Sequence, residues 1–256
     1  MSVGTCRLCL NVAPLHDSHI IPKWVYGRVA SGTSTTDPVI IERGSAVLTS
    51  RQVREHLLCS DCEQRFGRWE DLVAGLTVQE DMKFPWLSRL RPIVVGPPVT
   101  VQSDVGDSSA IDTAAMASFA TSVIWRASVS KEFPKTSLER YEDPVRRYLL
   151  GLDQDFPANA FLIVYLLDHD ARVAAMPKTQ RTNLDVTLHW FVTCGARFQL
   201  WVGDCPIAVA RACFVRNKMV MLKGIPDFRE GLNNMVAEAK PKGKLTKMQK
   251  SRSQGS

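Results

Sequence analysis

The sequence lacks both a long hydrophobic run and a recognisable leader. No uninterrupted apolar stretch approaches the ~18 residues that a membrane-spanning helix requires, and the first residues contain no basic segment followed by an apolar one. Both absences argue against a chain that is inserted into a membrane or secreted. We therefore expect a soluble protein that stays in the cytoplasm and has no membrane partner.

The chain also lacks the signatures of several large enzyme classes. It has no glycine-rich phosphate loop, no G-x-S-x-G nucleophile elbow and no kinase motif. These absences argue against nucleotide-driven or hydrolase chemistry in the C-terminal part of the chain.

Positive charge is unevenly distributed. The formal net charge is +6, and six cations without an acidic residue among them follow Ala239: Lys240, Lys242, Lys244, Lys247, Lys250 and Arg252. The preceding residues are therefore together neutral. A segment rich in Lys, Ser, Gly and Gln cannot bury apolar surface. We predict a disordered basic tail over residues 239–256, which either contacts phosphate by unspecific electrostatics or keeps the protein soluble.

Four of the seven cysteines form two C-x-x-C pairs, Cys6 with Cys9 and Cys59 with Cys62. Two such pairs supply four thiolates, enough to complete a closed tetrahedral zinc site that leaves no position for water. The sequence thus predicts one structural Zn²⁺ ion. The other three cysteines follow no such pattern, and we assign no role to them: Cys194, Cys205 and Cys213.

Residues 1–90 are predicted to form a zinc-binding module. Two short β-rich runs at 38–42 and 46–49 flank turn residues and predict a hairpin between the cysteine pairs. After the second pair, apolar residues recur at helical spacing: Phe66, Trp69, Leu72, Val73 and Leu76. The second cysteine pair is therefore expected to open a helix.

A stretch rich in proline and glycine at 91–98, followed by a polar loop at 104–109, marks a domain boundary. Beyond it we predict a second domain over residues 91–238. Its first helix has a buried face made of Met116, Phe119, Ala120, Val123 and Ile124. Trp125 lies on the opposite face, and we expect the zinc module to cover it.

Strands are predicted for the rest of the second domain. The continuous apolar run at 160–167 is typical of a strand buried on both faces. Alternating residues at 186–192 and 198–202 predict a hairpin. A run at 218–222 would extend this hairpin into a meander, and Asp227 would cap a final short helix. The expected fold class is α+β, with a zinc module followed by a helix-plus-antiparallel-sheet domain.

The segment between the cysteine pairs resembles a nuclease family. It contains His16-Asp17-Ser18-His19-Ile20-Ile21-Pro22. The order C-x-x-C, His-Ile-x-Pro and C-x-x-C opening a helix resembles the zinc-stabilised, treble-clef form of the HNH metal-dependent nucleases. The resemblance covers about the first 75 residues. It implies that His19 is the general base that activates water, that Ser18 stands at a metal-ligand position and that Glu63 stands where the family has the Asn that opens the helix.

Two departures from the family pattern concern the catalytic metal. Ser18 is a poor ligand for a hard cation, and no histidine follows Cys62 on the helix. Glu63 and Glu70 are seven residues apart and share a helical face, which makes them candidate ligands for Mg²⁺ or another divalent cation. Helical acids are also common as solvated surface. His19 is either a general base or a structural histidine whose ring bonds a backbone carbonyl.

A closer resemblance spans most of the chain. The motifs C-x-x-C, Ser-His-Ile-Ile-Pro-Lys, Leu-Leu-Cys-x-x-Cys-Glu and Trp-Arg-Ala-Ser are similar to those of a widespread group of bacterial proteins without an established activity. This resemblance indicates that the two predicted domains belong together.

Two hypotheses about function follow. In the first, the protein is a metal-dependent endonuclease that uses His19 as base. In the second, it is a non-catalytic, zinc-braced adaptor that binds nucleic acid or a protein partner. The serine before His19 and the absence of a helix histidine favour the adaptor. The retained His-Ile-Ile-Pro favours the nuclease.

Overall fold

A computed structural model gives the placement of most of the chain. The residues that it describes are 2–31, 39–42, 45–89, 92–95, 100–103, 112–167, 172–182, 185–217, 221–222, 234, 237–244 and 246. The helices are α1 (Lys23–Ser31), α2 (Ser60–Leu76), α3 (Pro85–Ser88), α4 (Thr113–Val129), α5 (Glu142–Leu150), α6 (Ile207–Arg211) and α7 (Phe214–Asn217), with a 3₁₀ turn at Glu139–Tyr141. Among the described residues, none of the helices combines the length and the apolar character needed to cross a bilayer.

The strands alternate with these helices. They are β1 (Ser2–Thr5), β2 (Val12–His19), β3 (Val39–Glu42), β4 (Ser45–Leu48), β5 (Arg54–Leu58), β6 (Pro92–Val95), β7 (Thr100–Ser103), β8 (Ala160–Leu166), β9 (Ala174–Arg181), β10 (Thr187–Thr193), β11 (Ala196–Val202), β12 (Met221–Leu222) and β13 (Lys240–Lys242). The chain mixes helix with mostly antiparallel sheet, as expected for the α+β class.

A three-stranded antiparallel sheet, in the order β1-β2-β5, holds the cysteine pairs. The register between β2 and β5 shifts beside Leu57, which leaves an extra residue in β5. Because of this bulge, the consecutive side chains of Leu57 and Leu58 are both buried, whereas a regular strand would send one of them to each face. The carbonyl of Leu57 accepts a hydrogen bond from the Arg7 amide at 2.9 Å. The bulge thereby joins the first cysteine turn to β5.

The predicted hairpin between the cysteine pairs is present as β3 and β4. Its second strand also pairs in parallel with β13. The disorder expected for residues 239–256 therefore does not hold for Lys240–Lys242, because main-chain hydrogen bonding to β4 orders them without deep burial of their side chains. The rest of the predicted tail, from residue 247 onward, lies outside the described residues.

A five-stranded sheet, in the order β12-β8-β11-β10-β9, forms the second layer of strands. The predicted strand at 160–167 and the predicted hairpin are confirmed as β8 and as β10 with β11. The predicted meander is wrong for Met221–Leu222, because β12 pairs in parallel with β8, while the start of the predicted run, at 218–220, lies outside the described residues. Sequence analysis missed β9, which contains Pro177 and four polar residues among its eight, as an edge strand can. Asp227 lies outside the described residues.

Helix α4 packs between the five-stranded sheet and α2, and residues 116–127 are all buried. On the sheet side, the ring of Phe119 lies 5.6 Å from that of Phe198. On the other side, Trp125 meets Phe66 of α2 edge to face, with ring centroids 6.2 Å apart. The predicted cover over Trp125 is thus confirmed. One hydrophobic cluster runs from the cysteine pairs to the sheet, and the domain division at residue 90 stays a prediction.

His189 gives the core a pH dependence. It is fully buried in β10, where its Nδ1 lies 2.9 Å from Thr179 Oγ1, and burial lowers its pKa from 6.5 to about 4. Between these values the unfolded chain binds a proton that the folded chain does not. The free energy of unfolding should therefore fall by about 3 kcal/mol as the pH drops from 6.5 to 4, with no contribution from His189 above this range.

Urea unfolding between pH 6.5 and 4 gives the free energy of unfolding of the wild-type chain and of His189→Gln. The difference between their pH dependences measures the contribution of His189. The variant should lose this part of the pH dependence. Parallel pH curves for the two chains would contradict the prediction.

Candidate metal centre

The structure brings the four predicted cysteine ligands together. The Sγ atoms of Cys6, Cys9, Cys59 and Cys62 all lie within 4.8 Å of one another, and those of Cys9 and Cys59 are 3.7 Å apart. Cys6 and Cys62 are buried beneath the turn, while Cys9 is partly exposed. Four sulfur atoms in this arrangement can hold one metal ion.

The first pair lies on the turn between β1 and β2. The Cys6 amide donates to the Asn11 carbonyl at 2.9 Å, and the Leu10 amide donates to the Cys6 carbonyl at the same distance. Leu10 closes the turn in the left-handed region, with φ of 66°. A leucine adopts this conformation at a cost of about 1 to 2 kcal/mol, so the surrounding contacts must hold the turn closed.

The second pair lies where β5 passes into α2. Cys59 is the residue that precedes the helix, and Cys62 belongs to its first turn. The amide of Cys59 donates to the Sγ of Cys6 at 3.3 Å. The N-terminus of a helix carries free amides and partial positive charge, which favour thiolates over thiols beside it. The helix start therefore supports negative charge on the sulfur cluster.

The thiols of Cys6, Cys9 and Cys62 have pKa values shifted in different directions. A hydrogen bond from the Cys62 thiol lowers the pKa of Cys6, and the same contact raises the pKa of Cys62. Burial raises the pKa of Cys9. One thiolate is thus stabilised by its neighbours, while further thiolates would repel it in a low dielectric. Complete deprotonation of the cluster needs a cation among the sulfur atoms.

The C-terminal part of the chain also holds the first cysteine turn. Arg146 of α5 donates from Nη1 to the carbonyl of Leu8 at 3.0 Å, and Leu8 is fully buried between the two cysteines of the pair. The Arg146 guanidinium also pairs with Asp143 at 2.5 Å. The metal centre is therefore anchored to α5 as well as to its own sheet.

His19 lies at the end of β2, and its side chain is half-buried. Its Nε2 lies 2.6 Å from Gln52 Oε1, and its ring centroid lies 6.4 Å from that of Tyr26. The ring thus contacts a side-chain amide, whereas the structural alternative for His19 had a backbone carbonyl as the ring's partner. Ser18, the preceding residue, is buried, and its hydroxyl donates to the His16 carbonyl at 3.3 Å.

Glu70 is held by Arg126, which belongs to the Trp-Arg-Ala-Ser motif but to which the sequence analysis gave no role. Arg126 of α4 donates from Nη2 to Glu70 Oε1 at 2.6 Å and from Nη1 to the His19 carbonyl at 2.6 Å. The Arg126 side chain is 1% exposed and that of Glu70 18% exposed. A fixed internal cation thus stands beside the Glu70 carboxylate. The available signal was that Arg126 is the one charged residue within the apolar sequence of α4.

Glu63 differs from Glu70 in its surroundings. It lies in the first turn of α2 and is half-buried, and its buried Oε1 has no hydrogen-bond partner among the described residues. Within the described part of the chain, the four cysteines are the one group of three or more potential ligand side chains close enough to share a metal. The structure does not gather His19, Glu63 and Glu70 into a second such group, and the roles predicted for these three residues stay predictions.

Comparison of the chain with protein-family models, with curated proteins and with solved structures found no significant match.

Proposed function

We propose that Cys6, Cys9, Cys59 and Cys62 bind one zinc ion in a structural site. Four thiolates are soft ligands that suit zinc, and a tetrahedron with Zn–S bonds of ~2.3 Å has sulfur atoms about 3.8 Å apart. The 3.7 Å separation of Cys9 and Cys59 supports this assignment. A site with four protein ligands has no open position, so its role is to hold the surrounding chain together.

The module around this site is, in our proposal, an HNH-like treble clef. Two features support it: the first cysteine pair lies on the turn between β1 and β2, and the second pair opens α2. The His-Ile-Ile-Pro element follows β2 in the order that the resemblance implies.

The function that the geometry supports best is that of a non-catalytic, zinc-braced module that binds nucleic acid. The observation that carries this choice is the ion pair of Glu70 with the buried Arg126. The Arg126 guanidinium already neutralises the carboxylate that a catalytic cation would use. Unlike a metal cation, a guanidinium has no open coordination position. The six cations after Ala239, which account for the net charge of +6, support contact with a polyanionic partner through that segment.

A second candidate function rests on Glu63. Its buried Oε1 has no hydrogen-bond partner within the described part of the chain and could bind a cation, and His19 is partly exposed at the end of β2. These features suit a Mg²⁺-dependent endonuclease with His19 as base, for which general base catalysis contributes typically ~10² to 10⁴ in rate.

Labelled single-stranded and duplex DNA and RNA, incubated with the full chain and Mg²⁺, Mn²⁺ or Ni²⁺, distinguish the two functions. We expect binding by fluorescence anisotropy and no cleavage on gels, because the described residues bring together no group of three or more potential metal ligands besides the four cysteines. The control is His19→Ala, which should bind as the wild type does. Cation-dependent cleavage that disappears in both His19→Ala and Glu63→Ala would replace the adaptor by the nuclease.

A further inference from the structure

The outer face of the five-stranded sheet, the face opposite α4, has an unusual composition. Because strand residues alternate and directly paired residues share a face, the register defines its members. They are Phe161, Ile163, Tyr165, Ala175, Lys178, Gln180, Leu188, Trp190, Val192, Arg197, Gln199 and Trp201. This outer face carries four aromatic residues and two cations, and none of these members is acidic. Four of the other members are buried: Ile163, Leu188, Val192 and Gln199. The aromatic residues and the cations therefore form most of the accessible part of the face.

Rings and cations alternate across the outer face. Trp190 belongs to β10, which lies between β9 and β11. The Nζ of Lys178 is 5.4 Å from the centroid of the Trp190 ring, and the guanidinium carbon of Arg197 is 4.7 Å from the same centroid. Arg197 is paired across the strands with Tyr165. At the next row, Trp201 stands opposite Phe161. The Trp190 and Trp201 side chains are half-buried and Lys178 is exposed, so the rings and the ammonium group are within reach of a ligand.

The two cations of this face are not neutralised internally. Neither Lys178 nor Arg197 has an acidic partner among the described residues, in contrast to Arg126 and Arg146, which are both paired with carboxylates. A third cation, Arg216 of α7, lies at the edge of the face with its guanidinium carbon 4.4 Å from the Phe161 ring. Positive charge and aromatic surface therefore coincide, and no acidic residue in the described ranges is paired with Lys178 or Arg197.

We propose that the outer face binds single-stranded nucleic acid. Its phosphates draw Lys178 and Arg197 away from the Trp190 ring, which both cations overlie in the free protein, and its bases then stack on Trp190 and Trp201. This inference rests on the proposed nucleic-acid function and assigns that function to a surface remote from the zinc centre. Base stacking on aromatic side chains tolerates any sequence and requires unpaired bases, whereas a duplex hides the faces of its bases. The alternation of rings and cations matches the alternation of bases and phosphates along a single strand.

The test measures the affinity of the full zinc-loaded chain for labelled oligothymidylate and oligouridylate of about 20 nucleotides, and for a duplex of the same length, by fluorescence anisotropy. We expect the single strands to bind more tightly than the duplex. Trp190→Leu should weaken single-strand binding about 5- to 100-fold, the loss of one stacked base. Lys178→Glu, at an exposed position, should weaken it about tenfold and flatten its salt dependence.

Matched controls exist elsewhere in the chain. Trp24 is also half-buried beneath a cation, with the Arg28 guanidinium carbon 4.6 Å from its ring, so Trp24→Leu tests the loss of a tryptophan outside the outer face. Lys135→Glu makes the same charge change as Lys178→Glu at another exposed position. Both controls should bind as the wild type does.

The possible results distinguish a failure of the proposed binding surface from a failure of the proposed nucleic-acid function. A wild-type chain that binds no nucleic acid at all defeats the proposed function and this inference with it. A wild-type chain that binds, with Trp190→Leu and Lys178→Glu no weaker than their controls, overturns the inference and leaves the function standing. A preference for duplex also overturns it. Should Trp190→Leu fail to fold, the exposed Lys178→Glu decides.

Discussion

Cys62→Ser is expected to lose its bound zinc and the order of the β1-β2-β5 sheet. The sheet brings together two cysteine pairs that are about 50 residues apart in the chain, and one metal ion joins them. The apparent free energy of zinc binding in small zinc modules is about 10 to 16 kcal/mol at neutral pH, which is comparable to or larger than the whole stability of a typical domain. Cys59→Ser should behave in the same way.

Elemental analysis and thermal unfolding measure this result. We expect about one zinc per wild-type chain, none in the two variants, and a large loss of melting temperature. The matched control is Cys205→Ser, which changes a half-buried cysteine outside the cluster and should keep the metal. A wild-type chain that is folded, reduced and free of zinc would contradict the proposed metal centre.

Arg126→Met should lower the free energy of unfolding by about 3 to 5 kcal/mol, as should Glu70→Gln. Arg126 is almost fully buried and joins β2, α2 and α4 through the His19 carbonyl and the Glu70 carboxylate. Removing either charge leaves its partner uncompensated in a low dielectric, where the loss is large. Removing both together should restore much of the stability, because no unpaired charge then remains.

Urea unfolding of the two single variants and the double variant tests this coupling. The exposed ion pair of Arg51 with Glu132, at 3.5 Å and with side chains 78% and 45% exposed, provides the control. Arg51→Met should cost less than about 1 kcal/mol. If Arg126→Met cost no more than Arg51→Met, the ion pair would not be the link between the zinc module and α4.

The parts of the fold that depend on local patterns were predictable from the sequence. The cysteine cluster followed from the two C-x-x-C pairs, because each pair sets its own ligand geometry within one turn. The helix after Cys62 followed from the periodicity of apolar residues. The burial of α4 on two opposite faces also followed, because Trp125 lies opposite the first apolar face and needs an element that covers it. The hairpin of β10 and β11 followed from the alternation on both sides of Gly195.

Long-range choices were not predictable in this way. The pairing of β12 with β8 depends on where the chain returns to the sheet after α6 and α7. The short sequence at 218–222 contains no feature that identifies its partner strand. The contact of Arg126 with Glu70 spans 56 positions in the chain, so helical spacing could only suggest Glu70 as a free ligand. Register also decides which aromatic residues meet on the outer face, since a one-residue slip would exchange the two faces.

The separation of the two cysteine pairs has a consequence for the timing of biosynthesis. Cys59 follows Cys6 by 53 positions. At the usual rates of translation, this interval lasts roughly 3 to 10 seconds. For that period a nascent chain presents the two thiols of the first pair without the other half of the site and without the contacts from Leu57 and Arg146 that hold the turn. Zinc loading is therefore a late step, and the emerging half-site is the form of the protein most exposed to capture by a competing soft metal or to oxidation.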